Sequence, residues 1–190
     1  MKVRAVTVFA AIDPSRVAAS LRNAGTLAEA VRQALEHNGL EVQTVRLALP
    51  PVDTVGTGVG GAAQLHDLAL ALDTESPTAG FGFVSVGTID TVTLPDGAWQ
   101  PLLEAAPTLV GATKQVAITA TVGTRTNAGA GTIAVGACRM SGDVVTAIAR
   151  TGNDGFGNLR FAAIANVAPH VPFFPAAFHD RQPSAAFGLA

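Results

Sequence analysis

Residues 166–180 gather side chains that can move a proton or hold a polar ligand: Asn166, His170, His179 and Asp180. Imidazoles exchange protons near neutral pH, and a side-chain amide both donates and accepts. Pro169, Pro172 and Pro175 fix φ along the same stretch, so an ordered loop there loses little further entropy on binding. Phe173, Phe174 and Phe178 supply apolar walls. His170, His179 and Asn166 are therefore read as candidate catalytic residues, and Phe173 and Phe174 as candidate substrate contacts. The plainer reading is a rigid structural loop with solvent-facing histidines and phenylalanines that fill a core or a subunit contact. A metal centre would draw on His170, His179, Asp154 and Asp180. That spacing matches no short ligand motif, and imidazoles nine residues apart converge only if the fold brings them together, so no metal is expected.

Other positions carry weaker signals. Arg125 and Asn127 follow a strand-like run and are read as candidate substrate-binding residues; with Thr124 and Thr126 they serve equally as helix-capping groups. Arg160 lies in an apolar run, where a guanidinium needs a partner; half of a structural ion pair is expected before a substrate clamp. Cys138, flanked by small apolar residues, reads as core filling. Gly56, Gly58 and Gly61 formally satisfy G-x-G-x-x-G. Pro50 and Pro51 separate them from the preceding strand, however, and no acidic residue follows at the expected distance. A flexible or anion-binding loop is a better reading than a dinucleotide site, and no cofactor is assigned.

Alternating elements must position these groups. Residues 3–11 are rich in β-branched side chains and suit a buried strand. Asp13-Pro14-Ser15 then offers a helix start. Val17, Leu21, Ala24, Ala28, Val31 and Leu35 fall on one helical face, Gly25 is a possible break, and Asn38-Gly39 is the stop. Residues 41–49 form a second strand, which makes a βαβ unit with a parallel sheet. A helix over about residues 62–72, a third strand over 81–89, a short helix around Trp99, Leu102 and Leu103 with Pro107 beyond its end, and a fourth strand over 115–122 follow. Residues 127–150 read as mostly helical, 159–165 as a fifth strand, and 166–190 as irregular. The fold class is α/β with a mainly parallel sheet, in one domain over residues 1–190 or as half of a larger barrel.

Composition narrows the function. Of 190 residues, 48% are hydrophobic and only 14% charged, so part of the surface is expected to be covered by a partner. Lys2 and Lys114 are the only lysines, the formal net charge is −2, and no basic stripe exists to displace counterions from nucleic acid. One cysteine allows neither an intrachain disulfide nor a four-cysteine zinc site. No run approaches a membrane span, and Met1 opens a strand-like run instead of a leader, so a cytoplasmic protein is expected.

The string from Gly157 through Asn158-Leu159-Arg160-Phe161 and Pro169-His170 to Phe178-His179 resembles the signature of the domain-of-unknown-function 711 family, whose members are also labelled pyruvate formate-lyase-like. Residues 3–9 and 40–48 are similar to it as well. The resemblance implies part of the ten-stranded α/β barrel of glycyl radical enzymes, and no general activity. Relatives are usually much longer, which implies that a second chain or further copies complete the barrel. They often carry Tyr where Phe178 stands. A glycyl radical is not expected: Gly188 follows Ala185-Ala186-Phe187 instead of the Arg-Val-x-Gly segment, and Cys138 is the only thiol. The expected function is a small-molecule enzyme, or a subunit of one, using acid–base chemistry at the loops after strands two, four and five. A non-catalytic ligand-binding module and a structural partner that completes a barrel stay open as alternatives.

Overall fold

A computed structural model describes residues 1–53, 60–95, 97–125, 131–151 and 153–190. The first β-branched run divides into β1 (Lys2–Val3) and β2 (Val6–Phe9). A 3-10 turn at Pro14–Arg16 follows, its start held by the Asp13 carboxylate, which accepts the Ser15 backbone N–H at 2.9 Å. Helix α1 (Val17–His37) runs unbroken through Gly25 and buries Leu21, Ala24 and Ala28. Gly25 has a packing reason: the Ala79 carbonyl oxygen lies 2.6 Å from where a Cβ would stand, so only glycine admits the neighbouring chain. Gly39, at φ +75°, ends the helix as its sequence suggests.

The chain continues through β3 (Glu41–Val42), β4 (Val45–Ala48), α2 (Ala62–Glu75) and β5 (Phe83–Asp90). Two short helices follow, α3 (Gln100–Glu104) and α4 (Ala106–Ala112). Pro107 therefore sits in the first turn of a second helix and not beyond the end of one, a position where its missing N–H costs nothing. Next come β6 (Val116–Arg125), β7 (Gly131–Ile133), α5 (Val135–Arg150), β8 (Phe161–Ala165) and β9 (Ala186–Leu189).

Three sequence expectations are corrected here. The segment read as helical from residue 127 contains β7, which pairs antiparallel with the end of β6, before α5 begins. Gly131 and Thr132 explain the preference, since neither favours a helix interior. Leu159 and Arg160 belong to a 3-10 stretch over Asn153–Arg160, and the strand starts only at Phe161. The tail read as irregular ends in β9, antiparallel to β2 with Thr7 opposite Gly188.

β1 and β3 make a small parallel pair, while the main sheet has seven strands. Its parallel part runs β2-β4-β5-β6-β8, in chain order, with β9 beside β2 and β7 beside the end of β6. When each crossover steps the same way across a sheet and keeps the same hand, successive helices fall on one face. The core follows this arrangement: Val8, Leu47, Val84, Val86, Val116 and Ile118 from one sheet face pack with Leu21 of α1, Leu65 and Leu72 of α2, Leu103 of α3, Leu109 of α4 and Ile148 of α5.

The other face carries the alternate residues of the same strands, including Thr7, Phe9, Arg46, Ala48, Phe83, Ser85 and Thr119. Among the described residues the tail, not an α-helix, covers it. Phe9 and Ala48 pack with Phe174, Ala177 and Ala186, and Ile164 packs with Ala176 and Phe178. Among the described residues no helix is long and apolar enough to cross a membrane.

Candidate functional site

The tail brings its histidines to the carboxyl ends of β2 and β4. The His179 backbone N–H donates to the carbonyl of Leu49, the residue after β4, at 3.0 Å. The His170 N–H donates to the Phe178 carbonyl at 2.9 Å and closes residues 170–178 into a loop. His170 adopts φ +65°, a left-handed conformation uncommon outside glycine, and its ring meets Phe9 edge-on with centroids 5.0 Å apart. One turn of chain therefore folds back over the end of the sheet, and residues nine apart come face to face.

His170 Nε2 stands 2.7 Å from His179 Nδ1. The Asp180 carboxylate oxygen Oδ1 lies 3.2 Å from that Nδ1 and 3.5 Å from that Nε2. Two imidazole nitrogens at hydrogen-bond distance hold one proton between them, since two protonated nitrogens would repel. His179 is fully buried and its other nitrogen, Nε2, has no hydrogen-bond partner. His170 and Asp180 are each about a third exposed, so a ligand reaches them first. Burial pushes the His179 pKa below its ordinary value; Asp180 and the Gln182 backbone oppose the shift, and His170 adds to it.

Arg181, beside this cluster in sequence, does not neutralise Asp180. Its guanidinium pairs with Asp53 at 2.5 Å, and Asp53 is buried just beyond β4. The Asp180 carboxylate accepts the Gln182 backbone N–H at 3.1 Å and otherwise faces the two imidazoles.

The structure unites some of the sequence candidates and separates others. His170 and His179 converge with Asp180, which the His-Asp dipeptide signals only weakly. Their meeting places them over the first and second parallel strands. Asn166 is exposed at the end of β8, with β6 and β5 between that strand and β4; its φ is +56° and its N–H donates to the Gly123 carbonyl. Arg125 is exposed at the end of β6. Neither makes a hydrogen bond or ion pair to the histidines. Asn127, Thr126 and most of the glycine-rich loop lie outside the described residues, as does the side chain of Asp154.

Phe174 lies over the Arg46 guanidinium at 5.3 Å, and Phe83 sits 6.0 Å from the same group. They line a groove of about 630 Å3 with Phe173, Leu159, Arg4 and Arg160. Arg46 Nε is buried without a hydrogen-bond partner, and burial together with the nearby Arg4 lowers the guanidinium pKa.

Two structural expectations are overturned. Arg160 is not half of an ion pair: it donates to the Val110 carbonyl at 2.7 Å, to the carbonyl and hydroxyl of Thr113 at 2.9 and 3.0 Å, and to the Val116 carbonyl at 3.3 Å. The orphan carbonyls at the end of α4, together with the first carbonyl of β6, are its partners. Cys138 is exposed on α5, because the buried stripe of that helix runs through Ala137, Ser141, Val144 and Ile148.

Compared with known proteins, residues 1–190 match the family model described as Uncharacterised ACR (DUF711). No curated protein matches the chain.

Proposed function

The chain belongs to the DUF711 family, and on that premise we propose that it is a small-molecule enzyme, or one subunit of such an enzyme, whose working centre is His170–His179–Asp180. The observation that carries this reading is the 2.7 Å approach of His170 Nε2 to buried His179 Nδ1 at the strand carboxyl ends. Parallel α/β sheets collect their ligands at that end. His170 is the member a substrate reaches, and it acts as the acid–base group. His179 is a positioning residue that holds the ring of His170 through the shared proton. When His170 takes a proton from a substrate, the Asp180 carboxylate stabilises the imidazolium formed. Asn166 and Arg125, at the ends of β8 and β6, orient the far end of a ligand that spans the mouth. The setting we propose is the cytoplasm.

A barrel like that of glycyl radical enzymes, without the radical, is the architecture proposed for the working unit. The chain-order parallel sheet with every helix core on one face supports it. So does the position of Gly188, paired inside β9.

Native mass spectrometry of the protein from its own host, with identification of any retained small molecule, tests the function. Conversion of that compound by the wild type and not by H170Q supports the enzyme. Equal, unreactive binding by both proteins identifies a ligand-binding module instead.

A second reading, participation in an assembly, is favoured by the apolar side chains around the Arg46 groove. Leu159 is 72% exposed and Phe173 69%, beside Arg46 and Phe83 on the sheet face opposite the helical core. A second chain or a further copy in the same spectrum supports it, and a monomer at all concentrations excludes it.

A further inference from the structure

We propose that His170 Nε2, His179 Nδ1 and Asp180 Oδ1 form a three-ligand site for a divalent transition-metal cation of the zinc and iron(II) class. The inference rests on the reading of this cluster as the working centre and names its cofactor.

Three lone-pair donors meet here at separations of 2.7, 3.2 and 3.5 Å. The proton between the imidazoles and the Asp180 backbone N–H, 3.4 Å from His170 Nε2, offset part of the repulsion among them, and a bound cation would offset the rest. With one proton shared between the imidazoles, both rings are neutral, and the carboxylate faces them without a formal positive charge beside it. The adjacent guanidinium of Arg181 is committed to Asp53, and among the described residues no lysine or arginine pairs with Asp180. Lys2 and Lys114 do not serve either: Lys2 pairs with Glu41, and Lys114 precedes β6 at the other end of that strand.

Geometry fits the same cation. Ligands about 2.1 Å from a tetrahedral ion lie about 3.4 Å from one another. The two edges that include Asp180 already have that length, and the His–His edge needs to open by about 0.7 Å, which replaces its proton with the metal. Two imidazoles and one carboxylate suit zinc, iron(II), cobalt or nickel and not calcium or magnesium, which prefer all-oxygen sets. Backbone hydrogen bonds to Leu49 and Phe178 hold both histidines in place before any ion arrives. His170 and Asp180 are partly exposed, so one position on the ion stays open to water or substrate, as in catalytic and not structural sites. An ion held by His170, His179 and Asp180 would supply an acidic water position beside the histidine proposed as the acid–base group.

The test is calorimetric titration of Zn2+ and Co2+ into the chelator-treated full chain, with Co2+ absorption as a second readout. One equivalent is expected to bind, with visible bands typical of low-coordinate cobalt. H170A and the near-isosteric D180N, each checked for native circular dichroism, are expected to weaken binding by at least ~100-fold. The absence of saturable binding, or equal binding by wild type and both variants, overturns the proposal. That result leaves His170 acid–base chemistry standing, because conversion of a retained compound is measured separately and needs no added metal.

Discussion

His170 and His179 face each other across 2.7 Å, one about a third exposed and the other sealed from solvent, with the Asp180 carboxylate turned towards both. The pair unites the tail with the carboxyl ends of β2 and β4, since Phe9 touches one ring and Leu49 receives the backbone N–H of the other.

One proton between two nitrogens leaves a spectroscopic mark. Long-range 1H–15N spectra of the metal-free protein near neutral pH are expected to show one protonated and one pyridine-type nitrogen at the facing positions. H170A is expected to shift the His179 ring signals. Two protonated facing nitrogens, or His179 signals indifferent to H170A, would contradict the contact.

His179 makes the metal-free protein sensitive to acid. Burial lowers its folded-state pKa below the ordinary value of about 6.5, and Asp180 only partly offsets this. Between the two values the unfolded chain binds more protons. The stability contribution is therefore complete above about pH 6.5 and declines as pH falls through that value towards the lower folded one. The groups facing the ring are His170, Asp180 and the Gln182 backbone, with the Asp53–Arg181 pair beside them. Urea midpoints between about pH 7.5 and about pH 5 are expected to fall more steeply in wild type than in H179Q. Equal slopes would assign the effect elsewhere.

Gly87 fixes the loop that receives His179. Its φ is +93°, and the Pro50 carbonyl oxygen stands 2.0 Å from the position of a Cβ. The register of β5 against β6 shifts between Ser85 and Thr88, so the close approach belongs to a local irregularity of the strand. G87A is expected to cost roughly 3 kcal/mol or more in denaturant unfolding, because both the clash and the left-handed backbone penalise it. A loss below 1 kcal/mol would mean that the Pro50 segment yields easily.

Arg160 stabilises the end of α4 and the start of β6 together. Four donor contacts to backbone and hydroxyl oxygens make R160A expected to cost about 2–3 kcal/mol. R160K recovers only part of this, since an ammonium cannot fork between Val110 and Thr113. Chemical denaturation of the two variants measures the difference. Full recovery by lysine would reduce the role to charge alone.

The parallel core of the fold was legible because its signals are local. β-branched runs, Asp13 as a cap and Asn38-Gly39 as a stop depend on near neighbours; the cap and the stop stand where the sequence puts them, while each of the first two runs divides into two short strands. Misreadings arose where distant chain decides the outcome. β7 and β9 exist because β6 and β2 offer them an edge, and Gly25 is needed because Ala79 passes close by. Arg160 found carbonyls instead of a carboxylate for the same kind of reason: its partners lie more than forty residues away.

By itself, then, the sequence determined an α/β chain with a parallel sheet and a loop holding two histidines among prolines and phenylalanines. Only the tertiary structure decided that those histidines meet each other and Asp180 over β2 and β4, far across the sheet from Asn166 and Arg125. Residue type and local pattern govern helices, strands and turns through forces that act over a few residues. The meeting of side chains nine positions apart depends on how the tail packs across the open sheet face, with Phe9 and Ala48 beneath it and Leu49 holding its end.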